Sequence, residues 1–548
     1  MAARRAVRIR VAGEDRLIAV EDAGRYRDAL GAPLPVGIPE SFLEPVPGAD
    51  LQLVRRWSRT HGPFLTAEPA ARLGLPADRV AQLLEQLETD GTISRGAFRP
   101  EGKEREWCDA GVLRQLRQRS LAALRHEVAP TEQDALVRFL PGWHGVGSTA
   151  RGVDRVYEVI TQLQGVPIPA SVWERDVLAS RVDDYDPRYL DELLAAGEVM
   201  WVGAGSVGNN DGRVMLFRRE DADALLGVTR VAALVGTDKP AEPEHDRLRD
   251  AFAVSGACFF RELSPDNSNA SLEALWDLVW SGEVTNDSFA AVRALAMPRS
   301  RKGRGGGRGS RAIVNYRSVA PRRALSPARA QGRWSFVREP DVEAAGTTQG
   351  ATLLARVMLE RHGVLTRQAV LGESVAGGYA GIYPVLRAME EAGRIRRGYF
   401  VTGLGGAQFA LPGAVDRLRA AREEAVGEDG RERGVLLAAT DPANPYGVAL
   451  SWPVKGPSRV AGAYVVLVGG QASLYLHKGG RGLIALREAD GTWEEAAVEA
   501  LSPLWSDGRI RRLEKGRFPD ELAEYLKEKA FLVTPIGAYA PAGGYQRT

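Results

Sequence analysis

The sequence contains few cysteines, few histidines and no long apolar run. Cys108 and Cys258 are the two cysteines among 548 residues, which excludes a disulfide framework and a cysteine-rich zinc site and indicates a reducing compartment. The six histidines are not spaced as metal ligands, so we expect no metal site. No apolar run approaches the roughly 20 residues of a membrane helix, and the N-terminus lacks the apolar region of a signal peptide. We therefore expect a cytoplasmic protein with no membrane partner.

An excess of charge of one sign is also missing. The 72 lysines and arginines oppose 70 acidic residues, which gives a net charge of +2, so binding of a polyanion requires local basic patches. The phosphate-binding pattern GxxxxGK[ST] does not occur, and no Asp-Glu pair follows an apolar strand pattern. We therefore expect neither ATP hydrolysis by this chain nor a bound cofactor. The length exceeds that of a single core and favours three to five domains.

A repeated frame is the most informative feature that is present. Two apolar residues one helical turn apart are followed by a glycine that ends the helix and a β-branched residue that starts a strand. A fifth copy is weaker, because Pro503 interrupts its helix. The copies are Leu84/Leu87/Gly91/Ile93, Leu190/Leu193/Gly197/Val199, Leu275/Leu278/Gly282/Val284, Leu386/Met389/Gly393/Ile395 and Leu501/Leu504/Gly508/Ile510.

The residues around the first four copies predict winged helices, because helical patterns precede each frame and hairpin patterns follow most of them. From Val435 the apolar period becomes two, which predicts a small β-barrel. The predicted fold class is α+β, with tandem winged-helix modules followed by a small C-terminal β-barrel. The predicted boundaries are an N-terminal strand and helix segment (1–47), winged helix 1 (48–110), a helical linker with winged helix 2 (111–228), winged helix 3 (229–296), a flexible Arg/Gly-rich insertion (297–340), winged helix 4 (341–425) and the barrel with a degenerate fifth winged-helix element (426–548).

Basic and aromatic side chains lie on the first recognition helix, on the predicted wings and in the Arg/Gly-rich insertion. Such residues are suited to phosphate contacts and base stacking, so they are the candidate DNA-binding set. For any single module, packing or a protein contact is an equally good interpretation, whereas the array together with the Arg/Gly-rich tract favours nucleic-acid binding. The candidates are Arg79, Gln82, Arg95, Arg99, Lys103, Arg105, Arg213, Arg218, Arg219, Arg301, Lys302, Arg304, Arg308, Arg311, Arg394, Arg396, Arg397 and Tyr399.

Long motifs carry a resemblance to a known family. They include VRIRVAGEDRLIAVEDAGRYRDALG, LWDLVWSGEVTNDSFAAVRAL, YPVLRAMEEAGRIRRGYF and ATDPANPYGVALSWP. The chain resembles the C-terminal region of Lhr-type (large helicase-related) bacterial helicases along almost its whole length. The resemblance implies a winged-helix array ending in a β-barrel, a role in DNA repair and assembly into a homo-oligomer, a tetramer. The ATP-dependent helicase motor of that family is not in this sequence, so it would act in cis in a longer protein or in trans.

That region in turn resembles the AlkZ and YcaQ group of winged-helix DNA glycosylases. The group places its attacking water with a Gln-apolar-Gln or Gln-apolar-Asp motif, which this chain matches with Gln162, Leu163 and Gln164. A glycosylase also needs a carboxylate, and Asp441 is the candidate. The alternatives remain open: Gln162 and Gln164 are then polar residues at a helix end, and Asp441 is an Asx-turn residue before a proline.

These observations predict a DNA-binding and oligomerising module of a repair helicase, in the nucleoid-associated part of the cytoplasm. Its partners would be double- or single-stranded DNA and further copies of the chain. Two alternatives stay open. The first is a glycosylase that removes uracil or an alkylated base from a flipped nucleotide, and the second is a structural assembly hub. Whether the chain is an enzyme is therefore not decided by the sequence.

Overall fold

The computed structural model divides the chain into two compact units, Met1–Glu127 and Val128–Thr548. It describes residues 5–99, 104–126, 130–208, 210–233, 240–296, 327–337, 348–373, 375, 377–423, 432–480, 482–510, 512–514, 522–529, 531–534 and 537–539. Within these ranges no helix is both long and apolar enough to cross a membrane.

In its described residues, the first unit contains two small antiparallel sheets, five helices and two 3-10 turns. A central core of buried apolar residues, including Val54, Leu84 and Trp107, joins the three helices of winged helix 1 to its wing. The strands are Ala6–Val11 paired with Glu14–Ala19 and Ile93–Gly96 paired with Glu106–Asp109. The helices are Ala23–Leu30, Ala49–Ser58, Ala67–Leu73, Ala77–Thr89 and Ala110–His126, with short 3-10 turns at Val20–Asp22 and Glu40–Phe42.

The second unit starts with the helix Gln133–Trp143 and continues into winged helix 2. The three strands of this module form an antiparallel sheet in which the last strand lies in the centre. Its helices are Gly152–Leu163, Ala170–Val172 running into the π-helical segment Trp173–Leu178, Pro187–Ala196 and Arg219–Ala233, and its strands are Ile168–Pro169, Val199–Ser206 and Gly212–Arg218.

Winged helix 3 has the same arrangement, but its last strand lies where the sequence predicted a flexible insertion. Arg333–Phe336 pairs with both other strands of the module, because Trp334 is fully buried and anchors it in the core. The sequence predicted a flexible insertion over 297–340, whereas residues 333–336 form a strand. Residues 297–326 and 338–340 of that segment lie outside the described residues. The helices are Pro243–Ser255, Phe260–Leu263, Asn269–Trp280, Ala290–Ala296 and the 3-10 turn Ala328–Ala330, and the other strands are Cys258–Phe259 and Val284–Asn286.

Winged helix 4 and the C-terminal part complete the second unit. The described C-terminal strands form an open four-stranded sheet followed by a three-stranded one, so the predicted closed β-barrel is not confirmed. Winged helix 4 contains helices Thr348–His362, Arg367–Gly372, Gly378–Glu391 and Pro412–Glu423, and strands Val364–Leu365, Arg396–Gly398 and Gln408–Ala410. The C-terminal strands are Val435–Ala438, Tyr464–Val468, Gln471–Leu476, Leu483–Ala485, Arg512–Glu514, Leu532–Thr534 and Gly537–Tyr539, and the helices are the 3-10 turn Lys478–Gly480, Glu494–Ala500, Ser502–Ser506 and Leu522–Glu528.

The repeated sequence frame has the predicted geometry in all five copies. Its glycines have φ values between 66° and 74°, in the left-handed region where a side chain is strained. The β-branched residue after each glycine is buried. Pro503 divides the fifth helix as predicted, since one helix ends at Ala500 and the next begins at Ser502. The five glycines are Gly91, Gly197, Gly282, Gly393 and Gly508.

The modules of the second unit share their hydrophobic cores. Phe217 in the sheet of winged helix 2 packs in one core with Met358 and Phe409 of winged helix 4. A second core joins the helix Gln133–Trp143 to winged helix 4 and to the four-stranded sheet. A third joins winged helices 2 and 3 to the C-terminal part of the chain. The modules of the second unit therefore pack against one another through shared cores, which bring together residues distant in sequence.

Candidate functional site

A cavity of about 490 Å³ lies in the second unit, where winged helix 2, winged helix 4 and the loop 440–461 meet. Its walls are mixed: valines, prolines and alanines alternate with charged and amide side chains. The polar lining consists of Gln164, Arg213, Thr229, Arg361, His362, Glu373, Thr440, Asn444 and Arg459.

The end of one helix brings two of these side chains to the cavity. Thr348–His362 ends at Gly363, which has a φ of 64°. A Cβ atom there would lie 2.6 Å from the ring of Phe139, so glycine is required both by the backbone conformation and by the close approach. The helix thus presents Arg361 and His362, its last two residues, between winged helices 2 and 4.

Glu373 binds both of these side chains. One carboxylate oxygen accepts a hydrogen bond from Nη1 of Arg361, and the other lies 2.5 Å from Nε2 of His362. Burial raises the pKa of the Glu373 carboxyl, but its interactions with Arg361 and His362 outweigh that effect and lower the pKa to about 2. The cavity therefore contains a carboxylate that stays ionised and is held by a guanidinium and an imidazole.

Arg361 also connects this cluster to the predicted Gln-apolar-Gln motif. Its side chain is 3% exposed. Its Nε donates to the carbonyl oxygen of Gln162 at 3.3 Å, and its Nη2 donates to that of Gln164. The motif is therefore fixed through its main chain to the end of helix Thr348–His362.

The amide side chains of the motif are engaged with protein groups. Nε2 of Gln162 donates to two main-chain carbonyl oxygens, each at 3.2 Å. Oε1 of Gln164 accepts from the N–H of Arg218 at 3.0 Å, and its Nε2 lies 3.1 Å from Oδ2 of Asp221. Of the two glutamines, Gln164 lines the cavity. Their predicted catalytic role remains a prediction.

Asp441 forms a buried ion pair beside the cavity. Its two oxygens accept from Arg181 at 2.7 and 2.9 Å, and the two side chains are 1% and 0% exposed. Oδ1 also accepts from the N–H of Ala443 at 2.7 Å, which is the Asx-turn contact named as the alternative for this residue. The adjacent Thr440 and Pro442 line the cavity. A catalytic role for Asp441 remains a prediction, and its contacts are those of a residue that holds the loop.

Arg459 organises the loop that forms one wall of the cavity. Its guanidinium donates to four main-chain carbonyl oxygens of residues 440–446, at 2.7 to 3.2 Å. Burial lowers the pKa of Arg459 to about 10, which the nearby charges of Asp441 and Glu373 partly oppose. The hydroxyl oxygen of Thr440 is buried without a hydrogen-bond partner. In the described part of the chain, no group of His, Cys, Asp and Glu side chains is arranged to hold a metal ion.

The DNA-binding candidates of the first unit divide into paired and open side chains. Arg79 donates to Asp50 at 2.6 Å, and Arg99 is bound to Glu106. Arg95 lies over the ring of Trp107, 4.9 Å from its centroid. Gln82 and Arg105 are exposed, and Lys103 lies outside the described residues.

The candidates of the second unit divide in the same way. Arg218 is paired with Glu220 and Asp221, and Arg397 is bonded to Tyr383 and Glu390. Arg219 is exposed and lies 3.4 Å from the sulfur of Met200. Arg213, Arg394, Arg396 and Tyr399 are exposed. Arg301, Lys302, Arg304, Arg308 and Arg311 lie outside the described residues.

Sequence reasoning missed the cluster of Arg361, His362 and Glu373, and also Arg459. One signal was available: RHG ends a strongly apolar helix, LLARVMLERHG, and charged residues at such a position are buried only when they are paired. The partner at Glu373 could not be identified from spacing, because a short strand and a second helix separate it from Arg361.

Comparison with protein-family models matches three parts of the chain. Residues 1–45, 131–219 and 344–430 each match a winged-helix domain of the large helicase-related protein. The fold prediction of winged-helix domains is thereby confirmed in its coarse form. The predicted domain boundaries remain predictions.

Two curated relatives and one solved structure are similar to the chain. The Lhr helicase/probable uracil glycosylase of Mycolicibacterium smegmatis is 44% identical over 531 residues, which cover 93% of this chain and 34% of that protein. The Lhr helicase/uracil glycosylase of Escherichia coli is 35% identical, over 90% of this chain and 33% of that protein. The DNA glycosylase AlkZ of Streptomyces sahachiroi has a TM-score of 0.39 and 14% identity, over 68% of this chain and 96% of AlkZ, and this likeness carries no argument about function. The chain thus spans about a third of the length of the curated relatives it matches, and it contains winged-helix domains that match those of the large helicase-related (Lhr) protein.

Proposed function

We propose that this chain is a DNA-binding module of an Lhr-family repair protein. The observation that carries the proposal is the wing of winged helix 4, where Arg394, Arg396 and Tyr399 are exposed within six consecutive residues. Unlike Arg79 or Arg397, these side chains are available to phosphates and bases. Arg105 and Arg213 are also exposed on or near the wings of their own modules. The winged-helix domains of the family support the same role.

DNA binding across a salt series tests this proposal. The Arg394→Ala/Arg396→Ala variant should weaken binding and reduce the slope of log K against log salt by about 2 on duplex DNA, because two phosphate contacts are lost. Arg387→Ala is the matched control, since Arg387 is exposed but paired with Glu391 at 3.0 Å. Equal slopes for the double variant and the wild-type protein would contradict the assignment of this wing.

A second candidate function, removal of a base, is supported by the cavity. A volume of about 490 Å³ falls within the ~300–1,000 Å³ typical of small-molecule sites, and a glycosylase must take its base out of the helix into such a pocket. Both curated relatives have uracil glycosylase in their names. We therefore propose uracil in DNA as the first substrate to test and alkylated bases as the second.

Incubation with uracil-containing DNA followed by alkali tests base removal, because an abasic site is cleaved by alkali. The wild-type protein should produce cleavage only at uracil. Gln164→Ala and Asp441→Ala should abolish this cleavage if the two residues carry the reaction, and a melting curve of each variant separates loss of activity from loss of folding. Intact DNA after prolonged incubation with excess protein would contradict this function.

Self-association and cooperation with a motor are further parts of the proposal. The family resemblance implies a homo-oligomer, a tetramer, with a helicase motor in cis or in trans. Light scattering should then give a mass that is a multiple of 59.3 kDa. A monomer at every concentration tested would contradict assembly through this region. If the protein neither bound DNA at low salt nor removed a base, the assembly-hub alternative would account for an oligomer.

A further inference from the structure

The cavity contains one pair of side chains suited to activating water. The amides of Gln162 and Gln164 are bonded to protein groups, and Asp441 is bound by Arg181. His362, by contrast, lines the cavity and uses Nε2 for its contact with Glu373. An ionised carboxylate only accepts hydrogen bonds, so Nε2 carries the proton and Nδ1 has a free lone pair in the neutral ring.

We propose that His362 is the general base for base removal in this cavity and that Glu373 is its positioning residue. The inference rests on the proposed glycosylase function and adds the residues that perform it. Glu373 fixes the tautomer and orientation of the ring and stabilises the imidazolium once His362 has accepted a proton. Arg361 in turn holds Glu373, so both side chains are anchored at the end of helix Thr348–His362.

The chemical step balances with water as the second reactant. The bond between C1′ of deoxyribose and N1 of uracil breaks, and its electron pair leaves with the base. The oxygen of water forms a bond to C1′, and the proton of that water passes to Nδ1 of His362. Protonation of the departing base by solvent or by His362 completes the reaction, which yields an abasic site and free uracil. Arg213 lines the same cavity and offers a positive charge to the departing anion.

The charged surroundings of His362 are fixed by the packing. On winged helix 4, Glu373 contacts the ring of His362. Arg361 precedes His362 in the chain and binds the same carboxylate. His144, after the helix Gln133–Trp143, and Arg459, in the loop 440–461, lie close enough to interact electrostatically with this cluster. The charged and titratable groups around the His362 ring are therefore Glu373, Arg361, Arg459 and His144.

Single-turnover excision of uracil, measured against pH, tests the inference. His362→Gln should slow excision by about 100-fold or more, as for loss of a general base, and should remove the fall in rate toward acid pH. Glu373→Gln keeps a hydrogen-bonding partner for the ring but loses the charge, and it should reduce the rate while retaining part of the pH dependence. DNA affinity and melting temperature of His362→Gln should equal those of the wild-type protein.

His477→Gln is the matched control, because His477 packs against Tyr475 in the C-terminal sheet and does not line the cavity; it should excise uracil at the wild-type rate. Wild-type excision together with an unchanged rate and pH profile in folded His362→Gln would overturn the inference and leave the proposed glycosylase function standing. Absence of excision by the wild-type protein would overturn both.

Discussion

Charged residues that are buried in pairs are the main feature at the scale of single side chains. The side chains of Arg181 and Asp441 are 0% and 1% exposed. Their ion pair joins winged helix 2 to the C-terminal part of the chain. Removing one partner of such a pair leaves an uncompensated charge in a medium that solvates it poorly. These pairs therefore hold the walls of the cavity in place, whether or not they take part in chemistry.

Asp441→Ala should destabilise the second unit by about 3 to 5 kcal/mol, because it strands the guanidinium of Arg181 in the interior. Chemical denaturation followed by tryptophan fluorescence measures the effect. Asp183→Ala is the control: its partner Arg151 is 66% exposed and Asp183 is 41% exposed, so the loss should stay below about 1 kcal/mol. Equal losses for the two variants would show that the buried pair contributes no more than a surface pair.

His144 should make the stability of the second unit depend on pH. It is fully buried and neither ring nitrogen has a hydrogen-bond partner. Burial, followed by the charges of Arg181, His362 and Arg361, lowers its pKa well below the usual value of 6.5. Since the unfolded chain then binds the proton more readily, the contribution of His144 to stability is full above pH about 6.5 and falls below it, by about 1.4 kcal/mol per pH unit.

Thermal melts of wild-type and His144→Leu proteins between pH 7 and pH 5 test this expectation. The variant should lose less stability toward acid pH, because the proton uptake on unfolding is gone. His61→Leu, which removes an exposed histidine of the other unit, controls for the loss of a histidine as such. Parallel pH curves for wild-type and His144→Leu would contradict the expectation.

At the scale of elements, the glycine that ends the third helix of each module has a conformational role that a single substitution can test. Gly197 has a φ of 73°, and a Cβ atom there would meet nothing within 4 Å. Gly197→Ala therefore tests backbone conformation without a steric clash, and it should cost about 1 to 2 kcal/mol. Gly413→Ala is the control, since Gly413 lies inside helix Pro412–Glu423 in equally open space. Alanine should be neutral or stabilising there, by up to about 1 kcal/mol.

Wings and recognition helices differ in how much charge they leave available. In the first unit, the recognition-helix residue Arg79 is held by Asp50, whereas Arg105 near the wing is exposed. In winged helix 4, Arg394 and Arg396 are likewise exposed at the wing. Substituting Arg79 by Ala should therefore change DNA affinity less than substituting Arg394 and Arg396 together, in the same salt-series assay.

At the scale of the whole molecule, the two units should differ in their ability to fold alone. Residues 1–127 contain complete cores of their own. The apolar face of winged helix 2 is completed by Met358 and Phe409 of winged helix 4, so a fragment of residues 128–340 would expose it to water. We expect a cooperative melt and near-ultraviolet circular dichroism from the fragment 1–127 and neither from 128–340. A cooperative melt of the second fragment would show that the shared core is not needed for folding.

The sequence by itself determined the winged helices. Apolar pairs one turn apart, a left-handed glycine and a β-branched residue are local requirements, and they hold in all five copies, from Gly91 to Gly508. The strand Arg333–Phe336 escaped prediction because its partners lie about 50 to 75 residues earlier, across a basic segment. The strands of the four-stranded sheet pair in chain order, so strand patterns located them but did not decide whether the first and last strands close into a barrel.

The candidate site was decided by tertiary structure. The sequence placed Gln164 at a helix end, where the structure has it at the cavity, but it gave no reason to join Arg361 and His362 to Glu373. Those contacts exist because shared cores bring winged helix 2, winged helix 4 and the loop 440–461 together. Local pattern determines which face of a helix is apolar, whereas the partner of a buried charge depends on which distant element packs against it.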